Sequence, residues 1–288
     1  MSRPDRLEYR TVAIALLASL LLWNLPYGGL VLYPFKLLAT WLHELSHGLL
    51  MTVTGSGFDY MLIYRDTSGL SYAKTSMAGY GLPFIAAAGY MGTPLWGAVL
   101  LVLTPTARRA RIALAVLGVL LVASSFTVIA IDDDGDAFGP WAIGIMGAAF
   151  VAAAFVVPAR WRRAIAHFVA AQSCVNALLD IRVLLRPSQV VGGNFAGSSD
   201  AHNMAAATFG TTADWAVWTW AGIWLAWSLG VLYLALRFSG SPALSSVATS
   251  APPTGAPPDE SDRDARRRSP ATAPDGTGPS GPADTAGP

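Results

Sequence analysis

The chain has 288 residues, of which 53% are hydrophobic and only 13% charged, with a mean hydropathy of +0.45. A soluble domain carries about 25% charged residues, so this composition excludes an ordinary soluble enzyme. The formal net charge of +1 offers no global field that would draw nucleic acid, and ten of the charges fall in residues 241–288, which leaves residues 1–240 to sit mostly in lipid.

Apolar stretches near membrane-spanning length run over roughly 11–30, 31–54, 83–103, 112–131, 140–158, 164–185 and 213–238. The first follows Arg3, Arg6 and Arg10 and passes into the second without a clear small-residue cleavage site, so it is expected to be retained. Between the second and third, Phe58-Asp59-Tyr60-Met61-Leu62-Ile63-Tyr64, a turn at Asp66-Thr67-Ser68-Gly69 and Leu70-Ser71-Tyr72-Ala73 predict two strands joined as a β-hairpin. The third span opens with Ala86-Ala87-Ala88-Gly89 and Gly92, small residues that admit a close neighbour; helix packing and a role facing substrate both account for them. The single cysteine, Cys174, lies in an apolar run and is expected to pack there. Tryptophans of the last span, among them Trp215, Trp218, Trp220, Trp224 and Trp227, suit interfacial anchoring and packing.

The fold expected is an all-α polytopic membrane protein with six to seven transmembrane helices, a short β-hairpin insertion and a disordered C-terminal tail. The transmembrane domain covers residues 1–240. Residues 241–288 hold ten of the 19 prolines, much Gly, Ser, Ala and Thr, and no aromatic residue, a composition that cannot offset its ordering entropy. Arginines gather at Arg3/Arg6/Arg10, Arg108/Arg109/Arg111, Arg160/Arg162/Arg163 and Arg266/Arg267/Arg268. Short cytoplasmic loops collect such residues, which places these clusters and the tail in the cytoplasm and Asp132, Asp133, Asp134 and Asp136 outside. Three apolar segments separate Arg10 from Arg108, an odd number. Either one of them is re-entrant or the N-terminus lies outside, and non-helical backbone at membrane depth survives only beside protein or a wet cavity.

The second segment contains His43-Glu44-Leu45-Ser46-His47, an H-E-x-x-H motif. On a helix His43 and His47 stand one turn apart on one face, so their imidazoles can share a zinc ion, with Glu44 placed to take a proton from water. Zinc lowers the pKa of a ligated water towards about 7. With four histidines in the chain, composition alone would yield this motif only about 0.0006 times. Burying its carboxylate in a span costs roughly 2.5–3.5 kcal/mol, which makes such residues functional candidates, although a polar cluster bonding helices together is the plain alternative.

Catalytic zinc takes three protein ligands and an open position. Asp180, the acidic residue deep in another span, is the first candidate for the third; pairing with Arg182 is its structural alternative. Asn176, one turn earlier, can orient a ligand, hold a substrate carbonyl or simply bond a neighbouring helix. A competing donor set, Asp200 and His202, lies in the hydrophilic stretch 186–212; His202 would complete a three-histidine site if that stretch folds back, while a helix N-cap at Ser199 or Asp200 accounts for these residues without a metal.

These residues together, a motif in a span, a hairpin, a small-residue span and a later Asn and Asp, resemble the site-2 protease family of intramembrane zinc metallopeptidases, especially its compact bacterial members, over roughly residues 31–185. The later half departs from that family's Asn-x-x-Pro-x-Asp-Gly pattern: Asn176 is four residues before Asp180, no proline intervenes, and Ile181 follows. The resemblance implies a zinc ion held by His43, His47 and a later aspartate, with Glu44 as general base. It further implies hydrolysis of a membrane-protein or peptide substrate in the bilayer, in a bacterial cell membrane. A helical substrate must be unwound locally, and the hairpin can hold it extended as an added strand, with Phe58, Tyr60, Leu62 and Tyr64 lining it. The alternative of another class is a membrane metal-binding or transport protein that uses the same ligands without hydrolysis.

Overall fold

The computed structural model describes residues 6–76, 81–184, 190–192, 194–195 and 198–239. The first two elements are α1, Arg6–Asn24, and α2, Gly28–Val53, separated by a sharp turn at Pro26 and Tyr27. Tyr27 takes a left-handed φ of 67°, and the bare Gly28 lets the chain pass directly over the Leu22 carbonyl. The hairpin follows as β1, Phe58–Ile63, and β2, Gly69–Ala73, antiparallel with Leu62 opposite Leu70 and Ile63 opposite Gly69. Then come α3, Gly81–Leu103, α4, Ala107–Thr127, α5, Phe138–Val156, and α6, Ala159–Leu184. Two short strands, β3 (Val190–Val191) and β4 (Asn194–Phe195), precede α7, Asp200–Phe209, and α8, Asp214–Ser239. The helical membrane architecture and the hairpin agree with expectation. The tail expected over 241–288 lies outside the described residues.

Among the described residues five helices, α3, α4, α5, α6 and α8, are long and apolar enough to cross a membrane, and the chain is a multi-pass integral membrane protein. Bare glycines allow two of them to touch: a Cβ on Gly118 of α4 would meet the Gly147 carbonyl of α5 at 2.6 Å, and the reverse contact is as tight. This is how helices associate where lipid removes the hydrophobic drive between them.

The packing gives every helix a direction. Gln172 of α6 donates to the Ser19 hydroxyl of α1, and the Arg182 guanidinium lies over Trp23, so α1 and α6 run parallel. Helix α3 runs against them: His167 of α6 bonds the Thr104 carbonyl at 3.0 Å, and Arg163 reaches the Pro105 carbonyl. Helix α2 follows none of these axes. Its start lies by Leu22, near the end of α1, and its end lies where Thr54 packs against Gly81, at the start of α3. In between, Asn176 of α6 donates to the Phe35 carbonyl at 3.0 Å and Trp41 donates to Ser124 of α4 at 2.9 Å. The hairpin lies along α2, held by Tyr33 to the Arg65 carbonyl, Thr40 to the Thr67 carbonyl and Ser71 to the Glu44 carbonyl.

The Asp132–Asp136 stretch forms the turn between α4 and α5. Asp136 there accepts from Nε and Nη2 of Arg65, at 2.8 and 3.0 Å, and so ties the hairpin to that turn.

Candidate metal centre

Side chains four apart on a helix share a face, and α2 turns His43 and His47 towards the same point, with ring centroids 4.8 Å apart. The face they share meets α3 at its small residues. A Cβ on Gly89 would overlap the His43 ring and one on Gly92 would overlap Ser46, so the small-residue stripe makes room for the motif helix. His47 is fixed from behind: its Nδ1 donates to the Ile85 carbonyl at 2.7 Å, which leaves Nε2 as its available donor atom. Metal-ligating histidines are oriented in this way. The His43 ring is held edge-on to Tyr90, which in turn stacks on Trp224 of α8 at 5.0 Å.

The third donor is Asp200. Its Oδ2 lies 3.0 Å from His43 Nε2 and 3.2 Å from His47 Nε2. Among the described residues these three form the one group of His, Cys, Asp or Glu in which donor atoms all lie within 4.8 Å of one another. The first residue of α7 reaches the site because the helix is docked firmly. Ala201, Met204 and Ala205 are buried on one face against Ala86, Ala87, Tyr90 and Trp224, and Ser199 caps the N-terminus by accepting from the His202 amide. A carboxylate in the first turn also suits the helix dipole.

The structure brings Asp200, and not Asp180, to the two imidazoles. Asp180 is absent from the donor group; it stands on α6 near Lys36 and His43. Its proposed partner Arg182 rests on Trp23 instead. His202 is also outside the group, and its Nδ1 is hydrogen-bonded with the Ser199 hydroxyl at 2.8 Å. The stretch containing it does fold back, as the competing reading required, but it delivers the neighbouring carboxylate. Asn176 ties α6 to α2 through Phe35 and is 1% exposed, with its Oδ1 unpartnered.

The donor set fits a zinc ion. Two imidazole nitrogens and a carboxylate oxygen are the chemistry of a catalytic zinc site, and the three donor atoms lie within 4.8 Å of one another, with the two imidazole–carboxylate separations at 3.0 and 3.2 Å. The side chains of His43 and Asp200 keep about a fifth of their exposure, at 20% and 22%, whereas His47 keeps 8%. One side of the cluster is therefore left uncovered by protein.

Glu44 is 5% exposed and sits under the hairpin. A Cβ on Gly69 of β2 would meet the Glu44 Cγ at 2.7 Å, so only glycine lets this strand pass so near. Of the hairpin residues expected to line the substrate, Phe58 packs over the bare Gly48 of α2 and Leu62 is buried at 6%. Tyr60 stacks on Tyr72 at 4.5 Å, and Tyr64 lies against Gly192. Their main structural work is to seat the hairpin.

The site makes a sharp prediction at Gly89. Gly89→Ala forces the His43 ring or the α3 backbone to move, and misplacing a reacting group by about 1 Å can cost about 100-fold in rate. Reduced zinc content and turnover are expected with unchanged helicity by circular dichroism; wild-type zinc binding and turnover would show that the contact does not position His43.

A family model of the Peptidase M50B-like proteins matches residues 12–235. Comparison with curated proteins and with solved structures gives no match.

Proposed function

Because the chain belongs to the M50B-like peptidases, of the site-2 protease family, we propose that His43, His47 and Asp200 hold its zinc and that Glu44 is its general base. The chain is a zinc metalloendopeptidase acting on a membrane protein or peptide. The observation that carries the residue assignment is the convergence of two Nε2 atoms on the Asp200 carboxylate beside a buried Glu44. Zinc bound there supplies Lewis acidity, polarising the scissile carbonyl and acidifying water. Glu44 takes the proton of the attacking water and delivers it to the leaving amine. Ser71 fixes the backbone carrying Glu44, and Gly69 lets β2 pass over its side chain. Tyr90 and the Ile85 carbonyl hold the two imidazoles in place.

Among the described residues the hairpin has one occupied edge and one open edge. The Met61 amide donates to the Val128 carbonyl, and its carbonyl accepts from the Ala130 amide, so β1 is covered by the segment after α4. Among the described residues β2 pairs with β1 alone. Hydrogen-bonding alternates along an antiparallel pair. Since Met61 turns its polar groups away from β2 and lies opposite Ser71, the backbone groups of Gly69 and Ser71 point to the open edge, beside Glu44. A substrate unwound into a strand pairs there. Ser71→Pro removes one amide from this edge without deleting a β1–β2 bond, whereas Ser71→Ala keeps it. Cleavage of a transmembrane peptide substrate by the full chain in liposomes is expected to fall for Ser71→Pro and to persist for Ser71→Ala. Equal cleavage by the two variants would reject backbone pairing at β2.

We further read α1 as a crossing helix and α2 as lying across the hairpin end of the bundle without crossing the bilayer, which resolves the odd count between Arg10 and Arg108. Both ends of α2 lie at the hairpin end of the bundle, and its polar motif is sheltered by α3, α7 and the hairpin. The protein belongs in a bacterial cell membrane with its tail in the cytoplasm.

A further inference from the structure

We infer that the groove between α1, α5 and α6 binds one anionic phospholipid, with an acyl chain along the groove and the phosphate against Arg162. The site is separate from the metal centre and independent of the hydrolytic reading.

The groove has a volume of about 420 Å³, within the range of sites that hold small ligands. Ile14 of α1, Phe35 of α2, Phe150 of α5 and Trp161, Ala164 and Phe168 of α6 line it, and no lining residue is charged. Along α6 it runs from Trp161, two residues after the helix start at Ala159, to Val169, a length of about 12 Å. Phe35 closes it from within, with its ring edge-on to Phe168 at 5.0 Å. Trp161 and Ala164 are exposed, so the groove is open on the face that the bilayer covers. An apolar slot of this shape accepts a hydrocarbon chain.

Arg162 gives the site its charge. It is 8% exposed, and an arginine is almost never buried to that extent unless it is paired. Its Nη1 donates to the Ala154 carbonyl at 2.9 Å, and its Nε is enclosed without a partner. Among the described residues the ion pairs are those of His43, His47 and Arg65, so Arg162 has no carboxylate to balance it. The unpaired charge stands at one end of the groove, because Arg162 follows Trp161 and Ala154 lies one turn beyond Phe150 on α5. Arg160 adds a second, exposed charge there, with its guanidinium 6.0 Å from the Trp161 ring centre. A phosphate accepts from a guanidinium edge through two oxygens, and basic recesses between transmembrane helices hold anionic headgroups. Groove and buried arginine together thus match the two halves of one lipid. Because Phe35 stands on α2 eight residues before His43, the bound chain packs against the motif helix and stabilises the folded protein.

The test uses the full chain purified in a mild detergent, with phosphatidylglycerol and phosphatidylcholine of identical acyl chains as probes. Native mass spectrometry is expected to show one phosphatidylglycerol retained per chain, preferred about tenfold over phosphatidylcholine, as befits a hydrogen bond to a charged group. Arg162→Gln removes that preference. Ala164→Phe, which fills the groove from its exposed side, removes retention of either lipid. In thermal unfolding followed by circular dichroism, phosphatidylglycerol raises the melting temperature of the wild type, as a ligand of the folded state must, and inorganic phosphate does not. If Arg162→Gln does not accumulate, Arg162→Lys takes its place, since it keeps the charge and loses the forked edge. Equal retention of the two lipids by the wild type, an undiminished preference in the Arg162 variant, or an equal melting shift from inorganic phosphate overturns the inference. A dimer that Ala164→Phe dissolves overturns it as well, because a second copy of the chain would then occupy the groove.

Discussion

Glu44→Gln is expected to bind zinc as the wild type does and to lose about 10²- to 10⁴-fold in turnover, the usual contribution of a positioned general base. The substitution keeps the shape of a side chain that is 5% exposed under the hairpin, so packing against Gly69 survives while the proton acceptor is lost. Glu44 is no member of the donor group, which is why metal content and turnover separate in this variant. Zinc measured by mass spectrometry and cleavage of a transmembrane peptide in liposomes check both halves. The same variant decides between hydrolysis and metal transport on these ligands: undiminished zinc-dependent function in Glu44→Gln would favour transport, since holding an ion needs only the two imidazoles and the carboxylate.

The second large effect is expected at the third ligand. Asp200→Ala removes one of three donors, and because loss of a mere outer partner of a metal ligand costs 10–100-fold in affinity, the loss here is at least about 100-fold. Asp180→Ala should leave zinc content unchanged, and so should His202→Ala, whose ring is engaged with Ser199 rather than with the donor group. Equilibrium dialysis against buffered zinc separates the three. Loss of zinc in Asp180→Ala with retention in Asp200→Ala would reverse the ligand assignment.

The asymmetry between these two aspartates explains what could be read from sequence. His43, Glu44 and His47 are local: a spacing of four on a helix fixes their common face before any tertiary contact forms. The hairpin is local too, because its alternation and turn lie within sixteen residues. Asp200 is brought to the histidines from about 155 residues away by a ten-residue helix, and nothing in the spacing encodes that distance. The rule that a carboxylate buried in a span must serve a purpose favoured Asp180, since a polar stretch can solvate its acids freely. That stretch is nevertheless folded onto α3 and α8 through Ala201, Met204 and Ala205. The available signal was the helix start itself: Ser199 as cap, Asp200 in the first turn and small apolar residues at 201 and 205 on one face.

Helix α2 carries the same lesson in another form. Its composition predicts an apolar segment near spanning length, and the odd number of segments between Arg10 and Arg108 marks the region as irregular. The direction of the helix depends on contacts at Leu22, Phe35, Trp41 and Thr54 with four other parts of the chain, which no local pattern determines. Gly89 reads in sequence as part of a small-residue stripe and Gly69 as part of a turn, but that they admit the His43 ring and the Glu44 side chain emerges only once the elements are packed.

Whether His43, His47 and Asp200 hold the zinc is read by X-ray absorption at the zinc edge of the purified chain beside the Asp200→Ala variant. One zinc per chain is expected, with two imidazole nitrogens and oxygen ligands at about 2.0–2.2 Å, and loss of that signal in the variant. A purified, folded chain that takes up no zinc, or whose zinc shell is unaltered when Asp200 is removed, would contradict this assignment.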